Sequence, residues 1–201
     1  MNKFLIFWFT CLLLLSCAEK KEEIKIDPLM NAYKVDGVKL EKDSIRKDMN
    51  FFLKKYNRSW SEQTKNKCIE LLFIGQQEFK VNYRIILSII SIESQFNIKA
   101  RGKNRGSTDY GLCQINSKYL TRRYKATEPL LKQYKIKYTS SKYDLGKNIF
   151  SSFMYLRDVS DYSDLIQFSD LILAYNQGVR GVKEKRPSSY YDRFLKEYLS
   201  I

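Results

Sequence analysis

In the stretch ILSIISIESQF, residues 86 to 96, Glu93 is the one ionisable side chain. If the stretch is helical, the positions three and four away share its face: Ile89, Ile90 and Phe96, with Ile86 a further turn back. No lysine or arginine lies within five residues on either side. A carboxyl with apolar neighbours and no cationic partner has a raised pKa, the property a general acid needs to protonate a glycosidic oxygen. The same pattern fits a structural charge whose partner comes from elsewhere in the chain, and periodicity leaves both open. Beyond Glu93 the chain enters a polar loop over residues 97–111, so a carboxyl at the helix end can face a cleft.

The rest of the composition narrows the chemistry. The chain has no histidine, which removes Ser–His and Cys–His nucleophile pairs and the histidine-bearing zinc sites of wall amidases and peptidases. No glycine-rich phosphate loop and no metal-ligand cluster is visible, so neither a metal nor a cofactor is expected. Carboxylates, hydroxyls and amides remain as the working groups. Residues 43–201 hold 29 Lys and Arg against 16 Asp and Glu, a balance of +13, which favours anionic partners by long-range attraction.

At the amino terminus, MNKFLIFWFTCLLLLSC places Lys3 before a twelve-residue apolar run, Phe4 to Leu15. That run is short for a membrane span and suits the core of a signal peptide. Ser16 followed by Cys17 resembles the lipobox of bacterial lipoproteins, in which the cysteine is acylated and becomes the first residue. A plain signal peptide or an uncleaved anchor is the alternative; each exports the chain. The expected organisation is a signal over 1–16, a lipidated tether over 17–42 and one domain over 43–201. The expected location is a membrane-anchored lipoprotein facing the periplasm or cell wall. For an exported protein the anionic partner is wall polymer or lipid rather than nucleic acid. Export also permits a disulfide between Cys68 and Cys113, the alternative being two buried free thiols.

The elements that must position these groups read as helices. Helical patterns fall at about 43–56, at 62–79 with Ser61 as cap, and at 83 to about 95 with Asn82 as cap. A short helix starts near GLCQINSKYL, two more run over about 144–158 and 163–177, and Gly178 stops the second of these. YYDRFLKEYL forms a last helix. The fold class is mainly α, a helical globule with functional loops.

IESQF, then DYGLCQIN, then AYNQG at 174–178 resemble, in that order, the blocks of the Slt-type lytic transglycosylases, which carry a lysozyme-like domain. YDLGKNIFSSFMYL is similar to the family's Asp…Asn-Ile helix, and YYDRFLKEYL to its closing tyrosine helix. The resemblance covers about residues 70 to 200. Cys113 stands where methionine is usual, Gln177 where a small residue is common, and KRPSSY replaces the Glu-Thr pair that often precedes the last tyrosine.

The resemblance implies a lysozyme-like helical globule with a catalytic cleft that acts on the glycan strands of peptidoglycan. It implies that Glu93 protonates the oxygen between N-acetylmuramic acid and N-acetylglucosamine, then draws the proton from the muramyl C6 hydroxyl, leaving a 1,6-anhydro end. Ser94, Gln114, Tyr175, Asn176 and Tyr190 are the implied substrate contacts, with Tyr175 also placed to assist charge at C1. RGSTDYGLCQINS also resembles animal lysozymes, in which the aspartate matching Asp109 is a second catalytic carboxylate. Two alternatives follow: a hydrolytic muramidase using Glu93 and Asp109, or a non-catalytic wall-binding lipoprotein. In a transglycosylase, Asp109 is expected mainly to shape the turn before Gly111 by bonding nearby backbone N–H groups.

Overall fold

A computed structural model describes residues 41–162, 165 and 167–201. The apolar leader, Cys17 and the tether up to residue 40 lie outside the described residues.

Among the described residues, seven helices and a three-stranded sheet follow one another. They are α1 (Lys42–Lys55), α2 (Glu62–Phe79), α3 (Tyr83–Ser94), β1 (Arg101–Asn104), β2 (Ser107–Tyr110), β3 (Ile115–Asn116), α4 (Ser117–Gln133), α5 (Leu145–Tyr162), α6 (Phe168–Lys183) and α7 (Tyr190–Tyr198). The chain is mainly α, as its periodicity indicates. Ser61 caps α2 by accepting from the Thr64 N–H, and Asn82 caps α3 by accepting from the Arg84 N–H.

Three stretches differ from the sequence reading. Residues 101–110 are not loop but an antiparallel hairpin, turning at Arg105-Gly106 and extended by the short β3. The helix expected near Gly111 starts only at Ser117, where the Asn116 side chain accepts from the Lys118 N–H, and then runs 17 residues through Pro129. Proline there, in the helix's last turns, leaves the Lys125 carbonyl without its usual donor. The helix expected from 163 begins at Phe168; its chain leaves helical geometry at Gly178 (φ 73°, ψ 161°) and resumes a short turn to Lys183.

Helix α3 is the axis of the core. Ile85, Ile86, Leu87, Ile89 and Ile90 are fully buried, so it is apolar on nearly every side, as a helix enclosed by others must be. Helices α1, α2, α5 and α7 surround it. Its two ends are tied by polar groups. At one end Asp48 of α1 accepts from the Tyr83 hydroxyl (2.7 Å) and Arg84 Nε (2.9 Å). At the other, Glu197 of α7 accepts from Ser91 Oγ (2.7 Å) and Lys55 Nζ (2.6 Å). Cys68 and Cys113 are both buried and both free, and burial pushes the Cys113 thiol up to about 12.

Helices α2 and α5 meet closely at Gly75, where the ring of Phe153 fills the space a side chain would need; Phe79 stacks on the same ring at 5.8 Å. A Cβ at residue 75 would lie 2.3 Å from Phe153 Cε2. Gly75→Ala is therefore expected to destabilise the fold by about 1–3 kcal/mol, despite a helix-propensity gain of about 1 kcal/mol. Urea unfolding checks this: the midpoint should fall, and fall less in a Phe153→Leu background. A raised midpoint contradicts the packing argument.

Candidate active site

Glu93 occupies the last turn of α3, and the chain behind it bends sharply. Gln95 (φ 50°) and Phe96 (φ 59°) both adopt left-handed backbone geometry, which costs a non-glycine residue about 1–2 kcal/mol. The cost is met by burial of Phe96, whose ring stacks on Phe52 (5.4 Å between centroids) and lies against Trp60 (5.8 Å). Arg58 Nε donates to the Gln95 carbonyl (2.8 Å) and Trp60 Nε1 to the Phe96 carbonyl (3.2 Å). This turn releases the carboxyl of Glu93 from the core into the wall of a cleft.

The cleft has a volume of about 300 Å³ and is lined by Glu93 and by the β-sheet residues Asp109 and Asn116. Gln114, Tyr175 and Asn176 also line it, so the fold brings together five of the expected site residues: Glu93, Asp109, Gln114, Tyr175 and Asn176. Two others lie elsewhere. Ser94 is buried, does not line the cleft, and donates its hydroxyl to the Ile90 carbonyl (3.0 Å). Tyr190, the first residue of α7, is buried behind the cleft wall rather than lining it, and its hydroxyl donates to Glu93 Oε1 at 2.7 Å.

That hydrogen bond and the burial around it set the acidity of Glu93. Burial penalises the charged form and pushes the carboxyl up to about 7; the nearby Asp109 charge adds to the rise. The Tyr190 hydroxyl and the Arg193 guanidinium work in the opposite direction and favour the carboxylate. Among the described residues no protein group bonds Oε2. A carboxyl poised near neutrality, with one oxygen anchored and the other open, can both give and take a proton.

Asp109 is held differently from the sequence expectation. Its carboxylate accepts not from backbone N–H groups but from side-chain amides on both neighbouring strands, Asn104 Nδ2 and Asn116 Nδ2, the latter at 2.7 Å. Residue 109 faces Gly102 and Asn116 in the strand register, which is why one carboxylate can gather both.

The floor of the cleft depends on Asn148 of α5, fully buried. It accepts from the Cys113 N–H (2.7 Å) and donates to the Tyr110 carbonyl (2.8 Å), fixing the turn at 111–114. Gly111 (φ 79°) is required there, since a Cβ would sit 2.6 Å from Asn148 Nδ2. Within the turn, Gln114 Nε2 donates to the Gly111 carbonyl (2.7 Å). Tyr175 donates its proton to the Cys113 carbonyl (2.8 Å) and meets Ser152 Oγ at 2.8 Å. Burial holds its pKa well above the ordinary tyrosine value, so it presents a fixed neutral oxygen.

Asn104, Asn116, Tyr119, Arg123, Tyr155 and Gln177 also line the cleft, and sequence reasoning assigned none of them a site role. The Asn-Ile block carried a signal for Asn148, and Asn116, Tyr155 and Gln177 fall inside the quoted blocks; Asn104, Tyr119 and Arg123 lie outside them. Among the described residues no three His, Cys, Asp or Glu side chains cluster as a metal site requires.

The roles of Tyr190 and Glu93 can be separated by titration. Tyr190→Phe removes a donor that favours the carboxylate, so the Glu93 pKa is expected to rise above about 7. A ¹³C-carboxyl NMR titration of Glu93 measures this directly; a fall would contradict the assigned sign.

The transglycosylase SLT domain family model matches residues 70–196, more than half of the chain. The matched span takes in Glu93, the 111–114 turn, Asn148, Tyr175 and Tyr190, the residues that the geometry above ties into one cleft. No curated protein matches the sequence. The chain thus belongs to the transglycosylase SLT domain family and has a mainly α, lysozyme-like fold suited to lytic transglycosylase activity on peptidoglycan.

Proposed function

We propose that the protein cleaves the β-1,4 bond between N-acetylmuramic acid and N-acetylglucosamine and leaves 1,6-anhydromuramyl ends. The observation that carries this reading is the single carboxyl of Glu93, poised near pH 7 at the cleft wall with Oε1 anchored by Tyr190. Near neutrality a large share of the population holds the proton. Glu93 gives it to the glycosidic oxygen as the bond to C1 breaks. The carboxylate so formed is stabilised at once by the Tyr190 hydrogen bond and the Arg193 charge. It then takes the proton from the muramyl C6 hydroxyl as that oxygen closes on C1, which regenerates the acid and consumes no water. One residue serves as acid and then base, as in retaining glycosidases.

The other groups have supporting parts. Gln114 and Asn176 orient the sugar through their amides, and the fixed oxygen of Tyr175 faces charge developing at C1. Ser94 positions Glu93 through the helix end rather than through the sugar. Tyr190 acts through Glu93 rather than by touching substrate.

Asp109 supports a second reading, because it lines the same cleft as Glu93. A muramidase would use it to stabilise or capture C1 and would deliver water. Each of its two oxygens already accepts one side-chain amide, which favours a role in shaping the sheet and in raising the Glu93 pKa. Digestion of purified peptidoglycan with product mass analysis distinguishes the two, since a hydrolysed end is one water heavier than an anhydro end. Anhydro ends are expected, and Glu93→Gln should lower turnover at least about a hundredfold while the fold survives. Asp109→Asn should retain measurable activity and still give anhydro ends, with its pH optimum shifted to lower pH because a negative neighbour of Glu93 is gone. Hydrolysed ends from the parent protein, with near-complete loss in Asp109→Asn, would establish the muramidase instead. Lack of any turnover would leave a wall-binding protein.

The proposal extends to location: export by the leader over 1–16 and anchoring to a membrane through acylated Cys17, facing the periplasm or wall. Cys17→Ser should release the protein from the membrane fraction and abolish fatty-acid labelling. Persistent labelling of that variant would rule the anchor out.

A further inference from the structure

Beside the cleft, helices α4 and α5 enclose a second cavity of about 280 Å³. Ser151, Met154, Tyr155 and Asp158 line it from α5, at the three- and four-residue spacing that puts them on one helix face. Arg122, Arg123 and Ala126 face them from α4. The Ser151 hydroxyl is the one buried side-chain polar atom among the described residues that has no hydrogen-bond partner. A buried hydroxyl left in that condition costs free energy until a ligand or solvent supplies a partner.

The charge of the cavity is equally incomplete. Among the described residues neither Arg122 nor Arg123 makes an ion pair. Arg123 lies instead over the ring of Tyr155, at 4.3 Å from its centroid. Asp158, the one acid in the lining, is already paired with Arg157 at 2.6 Å. Two cations therefore face a small space with an unpartnered hydroxyl and an apolar patch of Met154 and Ala126. Arg123 and Tyr155 also line the catalytic cleft, so their stack is the wall that the two cavities share.

We infer that this second cavity is a subsite for a carboxylate of the short peptide carried by the muramyl residues of peptidoglycan. The inference rests on the proposed function, because it takes the glycan to occupy the cleft next door. The sugars of that polymer are neutral, and its negative charge resides on peptide carboxylates joined to the glycan through a lactyl ether. An extended peptide covers about 3.3–3.6 Å per residue, so a few residues suffice to pass the Arg123–Tyr155 wall. A guanidinium matches a carboxylate through paired N–H donors, and Ser151 supplies a further polar contact. Met154 and Ala126 suit small aliphatic side chains such as alanyl methyls.

Binding to the Glu93→Gln protein, which does not consume its ligand, tests the subsite by calorimetry and by NMR of the Met154 methyl. The probes are the acidic peptide released from peptidoglycan, the same peptide with its carboxylates amidated, and inorganic phosphate. The acidic peptide should bind and shift the Met154 signal, and amidation or Arg122→Gln should weaken binding about tenfold. Phosphate binding as tightly as the peptide would reduce the cavity to a general anion site and overturn the inference. So would a peptide that leaves Met154 unshifted or binds Arg122→Gln equally well. In turnover by the active protein, Arg122→Gln should raise KM about tenfold on peptide-bearing strands and leave kcat/KM on peptide-stripped glycan unchanged. Equal losses on both substrates would also overturn it. If the active protein turns over neither substrate, the transglycosylase reading fails, and the binding measurements alone decide the subsite.

Discussion

A carboxyl group taken out of water at the end of an apolar helix is the constraint around which the molecule is arranged. Keeping Glu93 near neutrality requires α3 to be enclosed on nearly every side, and four helices perform that enclosure. The proposed role as base also needs a donor that favours the carboxylate without neutralising it outright. Tyr190 meets that need better than a lysine would, since a direct ion pair would return the carboxyl to ordinary acidity. The placement of α7 is therefore part of the acid's chemistry. Two polar links fasten that helix to α3, Tyr190 to Glu93 and Glu197 to Ser91, and its aromatic face, Phe194 and Tyr198, packs on Phe168 of α6.

The remaining cleft is built from amides more than from charges. Asn104 and Asn116 hold Asp109 from the two flanking strands, Asn148 fixes the 111–114 turn, and Gln114 and Asn176 line the opening. Neutral donors and acceptors suit a ligand made of hydroxyls and acetamido groups, which cannot repay the desolvation of fixed charges. Much of the protein's positive charge lies instead on outward-facing residues such as Arg101, Lys103 and Arg105, where attraction to an anionic polymer acts over distance.

How much of this the sequence discloses depends on the range of each interaction. Glu93 was legible because its neighbours at three and four positions are apolar and local. The caps at Ser61 and Asn82 were legible for the same reason. Its partners were not: Tyr190 and Arg193 lie about a hundred residues away and meet it only through tertiary packing, so Tyr190 read as a substrate contact instead. The hairpin escaped because RGKN and STDY are short and polar, with no alternation of apolar residues to mark a strand. The long α4 escaped because Pro129 interrupts its pattern, although the helix tolerates it near its end. Asp109 was recognised as important, yet its bonding could not be inferred, since Asn104 and Asn116 become its neighbours only through strand pairing.

The left-handed pair Gln95 and Phe96 sets a boundary of a different kind. The groups that hold it, Phe52, Arg58 and Trp60, come from α1 and the segment after it, ahead of the residues that match the family. The family match begins at residue 70, but the mechanical unit reaches back into α1. A chain cut to the family match would keep every group proposed to meet the sugar and lose the vice that aims Glu93. In this protein a segment outside the family match is the jig on which the cleft is mounted.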